Sequence, residues 1–449
     1  MENIFFVSLG CDKNLVDSEM MLGLLREHGF ELVSSEEDAD VIVVNTCSFI
    51  CDARDESIET LIEMGQLKAE GRCKVLIAAG CLAQRYKDDI LREMPEVDAV
   101  IGTASFQHIA EVVKKTLSGE KTAQFDDLSL LPEPDAGRVI SAGGYSDYLK
   151  IAEGCDKRCT YCIIPSLRGN YRSYPMEYLL SQAEELAGQG IRELNLVAQE
   201  TTVYGTDIYG KKMLPELLEK LSGIEGISWI RILYCYPEEI TDELLRTMSR
   251  LPKVCHYLDL PIQHASDRIL RMMGRRTNQA DIRAVIGRIR EFMPDAAIRT
   301  TLISGFPGET DEDFRELKDF VREMRFERLG VFAYSQEDGT PAAAMPDQVE
   351  ESLRAKRREE LMLLQQGIAF SNAENMAGRT MDVMIDGRIP EDGVYIGRTY
   401  MDAPGVDGCV FIEYNGELIS GDIVSVQITG AREYDLIGRL AEDDLPELT

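Results

Sequence analysis

Apolar and polar positions along the 449 residues fall into three successive patterns. Over residues 1–117, short apolar runs alternate with longer stretches of helical period. Ile4–Leu9, Val41–Val44, Lys74–Ala79 and Val97–Ile101 predict strands, while a stretch from about Asn14 to His28 and another through Ile58 and Leu61 predict helices. Strands separated by helices imply a parallel α/β sheet. Periodicity fades over 118–143, where Pro132, Pro134, Gly137, Gly143 and Gly144 mark a linker. Residues 144–375 alternate again, with strands predicted at Tyr148–Glu153, Glu193–Gln199, Trp229–Tyr234, His256–Ile262, Ile298–Ile303 and Leu329–Tyr334. Helices such as Glu177–Leu186 and Asp311–Met324 lie between them, so the expectation is a partial barrel of six βα units with its active-site loops at the strand C-termini. A charged amphipathic connector covers 348–370. Over 376–449 the runs shorten to Met381–Ile385, Val394–Arg398, Val410–Tyr414 and Ile423–Ile428, separated by glycines, which predicts a small all-β module, a five-stranded barrel. The fold class expected is α/β with that β module at the end.

Composition narrows the setting. A hydrophobic content of 44% and a charged content of 28% are ordinary for a globular protein. Ile4–Leu9 is too short and lacks the basic flank of a secretion signal, and no stretch nears the roughly 18 apolar residues of a membrane helix. The expected location is the cytosol. Eleven cysteines there are core residues or metal ligands rather than a disulfide framework. The net charge of −31 repels nucleic acid at long range and attracts a basic partner, although acidity also serves solubility alone.

Spacing separates the cysteines. Cys155-x3-Cys159-x2-Cys162 follows the first strand of the second region. Zinc usually takes four ligands in paired spacings, whereas three thiolates on one loop suit three irons of a cubane and leave the fourth iron open. The alternative is a loop of buried or zinc-binding thiols. Tyr161 could offer an aromatic face to an adenine ring. A second set is Cys11, Cys47 and Cys81, spaced 36 and 34 residues apart, each just past a predicted strand. In an open parallel sheet those strand ends line one crevice, so the three would converge; small buried thiols are the plainer reading. Cys235 and Cys255 read as core, while Cys51, four residues after Cys47 on a predicted helix, could approach the second set.

The stretch from Cys155 to Cys162 resembles the radical S-adenosylmethionine (SAM) signature, and Gly305-Phe306-Pro307-Gly308-Glu309-Thr310 resembles that superfamily's SAM-contacting turn. With Gly10-Cys11-Asp12-Lys13-Asn14, Asp17-Ser18-Glu19, Asn45-Thr46-Cys47 and Gly80-Cys81-Leu82-Ala83-Gln84-Arg85, the chain is similar over nearly its whole length to the methylthiotransferase family. The resemblance implies a three-cysteine N-terminal domain (1–117), a linker (118–143), a radical-SAM barrel with its connector (144–375) and a C-terminal TRAM barrel (376–449). It implies two 4Fe-4S clusters, one on Cys155, Cys159 and Cys162 that cleaves SAM and one on Cys11, Cys47 and Cys81 that carries or supplies sulfur. SAM contacts would come from Tyr161, Glu200, Gly305 and Pro307, and electrons from a donor such as flavodoxin or ferredoxin.

The family divides into tRNA-modifying and ribosomal-protein-modifying branches. Gly10–Asn14, Leu260-Pro261-Ile262-Gln263-His264-Ala265-Ser266 and Cys162-Ile163-Ile164-Pro165-Ser166-Leu167-Arg168-Gly169 resemble the second. Charge agrees: Met376 to Thr449 holds five Arg, no Lys and fifteen acids, a net −10 that disfavours phosphate and favours a basic ribosomal protein. The implied reaction is methylthiolation of an aspartate β-carbon in the S-twelve protein of the small ribosomal subunit. A tRNA adenosine methylthiotransferase is the runner-up, and a non-catalytic iron–sulfur scaffold or redox sensor the reading from another class.

Overall fold

The computed structural model describes residues 2–132, 137–141, 144–389 and 393–441; the linker markers Pro134 and Gly143 lie outside them. The chain forms two compact units. The first comprises Met1–Gly143, Lys150–Tyr174 and Ser335–Ala343; the second comprises Gly144–Leu149, Pro175–Tyr334 and Ala344–Thr449.

The first unit is built on six strands, β1 (Asn3–Ser8), β2 (Glu31–Leu32), β3 (Val41–Thr46), β4 (Val75–Gly80), β5 (Ala99–Ile101) and β6 (Thr122–Gln124). All neighbours run parallel in the order β2-β1-β3-β4-β5-β6. Every residue of β3 and β4 is buried, as expected where helices cover both faces of a parallel sheet. The core gathers Ile42, Val44, Leu76, Ala78, Leu82 and Val100. β2 and β6, two and three residues long, are too short to carry a period, and β6 lies within the stretch read as linker. That stretch is also pinned further along: Arg138 is buried and its Nε donates to Glu19 (3.1 Å), while Ser141 donates its N–H to the same carboxylate (2.8 Å).

The second unit carries an open six-stranded sheet of β7 (Ser146–Lys150), β10 (Glu193–Val197), β11 (Trp229–Ile232), β12 (Val254–Asp259), β13 (Ala297–Ser304) and β14 (Arg328–Ala333). The order β14-β13-β12-β11-β10-β7 follows the chain, as consecutive βα units dictate, and β10 through β14 pair in parallel. The single strand expected over Tyr148–Glu153 is interrupted. β7 ends at Lys150, and β8 (Ala152–Glu153) pairs antiparallel with β9 (Arg172–Ser173) inside the first unit.

The final module closes into a barrel of β15 (Thr380–Ile389), β16 (Val394–Thr399), β17 (Val410–Glu413), β18 (Ile423–Arg432) and β19 (Asp435–Leu440), in the order β15-β16-β17-β19-β18. Register shifts at Ile385/Gly387 and Ile428/Gly430 bend the two long strands so that five can close. Val383, Ile385, Val410, Ile412, Val426 and Ile428 fill the interior. A Cβ on Gly397 would lie 2.5 Å from Val383 Cγ1 and 2.6 Å from Met384 O. Gly397→Ala is therefore expected to cost about 1–3 kcal/mol through overpacking, seen as a lowered first transition in a thermal melt. An unchanged transition would mean that the strands separate there without penalty.

The charge expectation for this module changes on inspection. Six of its fifteen acids, Glu391, Asp392, Glu442, Asp443, Asp444 and Glu447, lie outside the described residues. Asp386 is bound by Arg398 (3.1 Å) and Tyr145, and Asp402 by Arg328 (3.1 Å). Among the described residues the exposed acids Asp382, Glu413, Glu417 and Glu433 are matched by exposed Arg379, Arg388, Arg432 and Arg439. The described barrel surface thus has no acidic excess among its exposed side chains, and the choice of substrate does not follow from its charge.

Candidate functional site

Cys11, Cys47 and Cys81 follow β1, β3 and β4, which are adjacent in the sheet. Between β1 and β3 the strand order reverses, and at such a switch point the connections diverge and leave a crevice beyond the strand ends. Side chains from the surrounding motifs stitch the three ends together. Asn14 Nδ2 donates to Leu9 O and to Thr46 O, both at 2.9 Å. Asn45 Nδ2 donates to Asn14 O and Ser18 Oγ, again at 2.9 Å, and Thr46 Oγ1 donates to Ala79 O at 2.5 Å. Glycine precedes Cys11 and Cys81 for a related reason. Gly10 and Gly80 have φ of +90° and +88°, and a Cβ on them would meet Cys47 Cβ at 2.7 Å and Asn45 Oδ1 at 2.3 Å.

The three thiols sense one another. Burial, then the neighbouring Cys81 and Cys11, push the Cys47 thiol up to about 12. Burial also raises Cys81, against the opposing pull of Arg168. Thiols of this kind become good ligands when a cation displaces the proton. Cys51 opens the next helix and turns elsewhere, its Sγ 3.4 Å from Glu337 Oε1. Cys73, Cys235 and Cys255 are buried, and Cys409 sits against Asp435 at 3.4 Å.

Cys155, Cys159 and Cys162 lie on the loop between β8 and the short helix Ile164–Arg168, also in the first unit. The β8–β9 pair clamps its base, Cys155 N–H donates to Gly169 O (3.2 Å), and Cys162 N–H donates to Cys159 O (3.1 Å). The backbone of Lys157 donates to Cys155 Sγ at 3.5 Å. Cys155 and Cys159 are buried, and Cys162 and Tyr161 partly so. Among the described residues no group of three or more His, Cys, Asp or Glu is drawn together tightly enough for a single metal ion. Thiols bound to three different irons of one cluster stand further apart than thiols bound to one.

Glu200, Gly305 and Pro307 belong to the second unit, beyond the C-terminal ends of β10 and β13. Glu200 is buried and accepts from Thr202 N–H (3.0 Å). Gly305 N–H donates to Glu309 Oε2 (2.8 Å), and Glu309 is held in turn by Arg357 at 2.9 Å. His264 is buried; its Nδ1 accepts from Ser266 N–H (2.9 Å) and its Nε2 lies 3.5 Å from Glu309 Oε2.

Sequence reasoning missed a buried ionic network in the first unit. Arg168 Nη1 donates to Asp17 Oδ2 (2.6 Å) and Glu153 Oε2 (3.1 Å). Lys150 bridges the same two carboxylates, reaching Glu153 at 3.0 Å. Arg168 Nη2 donates to Asn14 Oδ1 (2.6 Å) and faces Cys81 Sγ at 3.5 Å. Although burial opposes its charge, Lys150 and Arg168 draw the Glu153 carboxyl down to about 2. The available signal was Asp17-Ser18-Glu19, three polar residues in succession set between the apolar pairs Leu15-Val16 and Met20-Met21.

Three family models match in succession: Uncharacterized protein family UPF0004 over residues 3–102, the Radical SAM superfamily over 149–321, and the TRAM domain over 377–441. The class is therefore a radical-SAM protein with an N-terminal parallel-sheet domain and a C-terminal barrel. A ribosomal protein uS12 methylthiotransferase RimO from Lachnoclostridium phytofermentans is 61% identical over 97% of this chain and 99% of its own. The protein of that name from Clostridioides difficile is 48% identical over 98% of each chain. The solved radical SAM methyltransferase TsrM from Kitasatospora setae shares the fold, with a TM-score of 0.58, 12% identity and coverage of 82% of this chain and 89% of its own. The chain belongs to the RimO methylthiotransferase family.

Proposed function

We propose that this enzyme adds a methylthio group to the β-carbon of an aspartate in ribosomal protein uS12. It would act in the cytoplasm, where thiols stay reduced, with electrons supplied by a flavodoxin or ferredoxin. Cys155, Cys159 and Cys162 would hold one 4Fe-4S cluster, and Cys11, Cys47 and Cys81 the other. The donor sets suit such clusters, since each supplies three thiols and leaves a fourth iron for an external ligand. When bound, the clusters and SAM supply the reducing electron, the carbon-centred radical, the methyl group and the attachment point for sulfur.

The protein's own tasks are positional. The β8–β9 clamp and the buried positions of Cys155 and Cys159 hold the first thiol set away from water. Asn14, Asn45 and Thr46 keep three strand ends in register, so that thiols from separate βα units face one crevice. Tyr161, Glu200, Gly305 and Pro307 are the proposed SAM contacts. The observation that carries this reading is the convergence of Cys11, Cys47 and Cys81 on adjacent strand ends in the same chain as the three-cysteine loop. Packing alone gives no reason for a cysteine at each of those three ends.

Mass spectrometry tests the substrate. Reconstituted enzyme given SAM, a sulfide source and reductant is expected to leave a methylthio addition on an aspartate of uS12. Methylthioadenosine in tRNA, with uS12 unchanged, would move the chain to the tRNA-modifying activity.

A further inference from the structure

We propose that Arg168 positions Cys81 and raises the reduction potential of the cluster held by Cys11, Cys47 and Cys81. This rests on the cluster assignment above and deepens it.

The guanidinium is divided between two tasks. Its Nη1 side meets Asp17 and Glu153, the carboxylates that Lys150 also binds. Two cations and two anions cancel there, so the buried group is charge-balanced before any iron is bound. Its Nη2 side meets a neutral partner, Asn14 Oδ1 at 2.6 Å, and the thiol of Cys81 at 3.5 Å. That half of the fork is free to polarise sulfur. Arg168 is 1% exposed and Cys81 6%, so water does little to screen the contact.

The placement is over-determined. Asn14, which receives Nη2, also ties the ends of β1 and β3 through Leu9 O and Thr46 O. Leu167, the residue before Arg168, packs with Ile163 on Cys81. Glu153, which receives Nη1, lies two residues before Cys155 and pairs with Arg172 across the β8–β9 clamp. The same guanidinium is therefore anchored to the base of one cysteine set while it touches the other.

Donors to cluster sulfurs stabilise the more negative, reduced state, so a guanidinium N–H at a ligand sulfur raises the potential. Lysine cannot replace it, because a point charge does not fork to a carboxylate pair, an amide and a sulfur together.

The test uses full-length protein carrying Cys155→Ala, Cys159→Ala and Cys162→Ala, so that the N-terminal cluster alone is observed. Its midpoint potential is read by EPR during a titration in which an external reductant supplies one electron per cluster. In that background Arg168→Lys keeps the positive charge and loses the fork. An Arg168→Gln/Asp17→Asn pair keeps the buried charges balanced and removes the guanidinium. Both are expected to bind iron and shift the potential to more negative values. Asp17→Asn alone keeps the guanidinium, removes a neighbouring negative charge and shifts it to more positive values. A purely structural role predicts no such pair of opposite signs. Potentials equal to the parent's in both Arg168 variants, with iron retained, would overturn the proposal. So would Arg168 variants that fold but lose iron while Asp17→Asn keeps it, because Arg168 would then act in assembly. A parent protein without any cluster would instead overturn the cluster assignment on which the proposal rests.

Discussion

Alanine at any one of Cys155, Cys159 and Cys162 is expected to abolish reductive cleavage of SAM, with 5′-deoxyadenosine falling to the background of protein without iron. Each thiol would be one of three protein ligands on a loop of eight residues, so none has a substitute nearby. Buried Cys155 and Cys159 also sit in a shell from which water is largely excluded. Loss of either leaves an open iron where solvent does not readily complete the coordination. The loop's base is held independently by β8 and β9 and by the Cys155 N–H to Gly169 O bond, so the variants should keep the fold. A single-alanine variant that still forms 5′-deoxyadenosine at near the parental rate would show that the loop does not hold the SAM-cleaving cluster.

The second large effect separates the two cysteine sets. Cys11→Ala/Cys47→Ala/Cys81→Ala should retain about half the iron, since one of two like clusters remains. It should still cleave SAM and transfer no methylthio group. The side chains that tie the strand ends, Asn14, Asn45 and Thr46, bond to backbone, to Ser18 and to Arg168 rather than to these thiols, so removal of the thiols leaves the strand ends tied. Iron analysis and paired assays of 5′-deoxyadenosine and methylthiolated product read the result. Full iron content in the triple variant would show that these thiols hold no cluster.

Legibility in the sequence varied with how local the determining interaction is. The helix Asp311–Met324 was read with its observed bounds because its start is written in four residues. Thr310 and Asp313 cap each other's backbone N–H groups, and an apolar stripe of period 3.6 follows. The Tyr148–Glu153 strand was half right. Its composition suits an extended chain throughout, but whether an extended segment continues in one sheet or pairs with Arg172–Ser173 is settled by distant partners. The charge of the C-terminal module was legible only in sum, for a similar reason. Composition counts Asp386 and Asp402 as surface charge, whereas Arg398 and Arg328 neutralise both.

From the sequence alone came the alternation of strands and helices, the β module at the end, the three-cysteine loop, and a cysteine past each of three strands. These depend on propensity, period and spacing, which neighbouring residues encode. Only the tertiary structure decided that β1, β3 and β4 lie side by side, through the order β2-β1-β3-β4, which puts Cys11, Cys47 and Cys81 past adjacent strand ends. It alone decided that Arg168 meets Asp17, 151 residues away, and reaches Cys81. Strand order follows from which apolar faces find each other across the whole chain. A buried cation is tolerated only where that packing brings its carboxylates to it. Neither condition is written in the residues adjacent to Arg168.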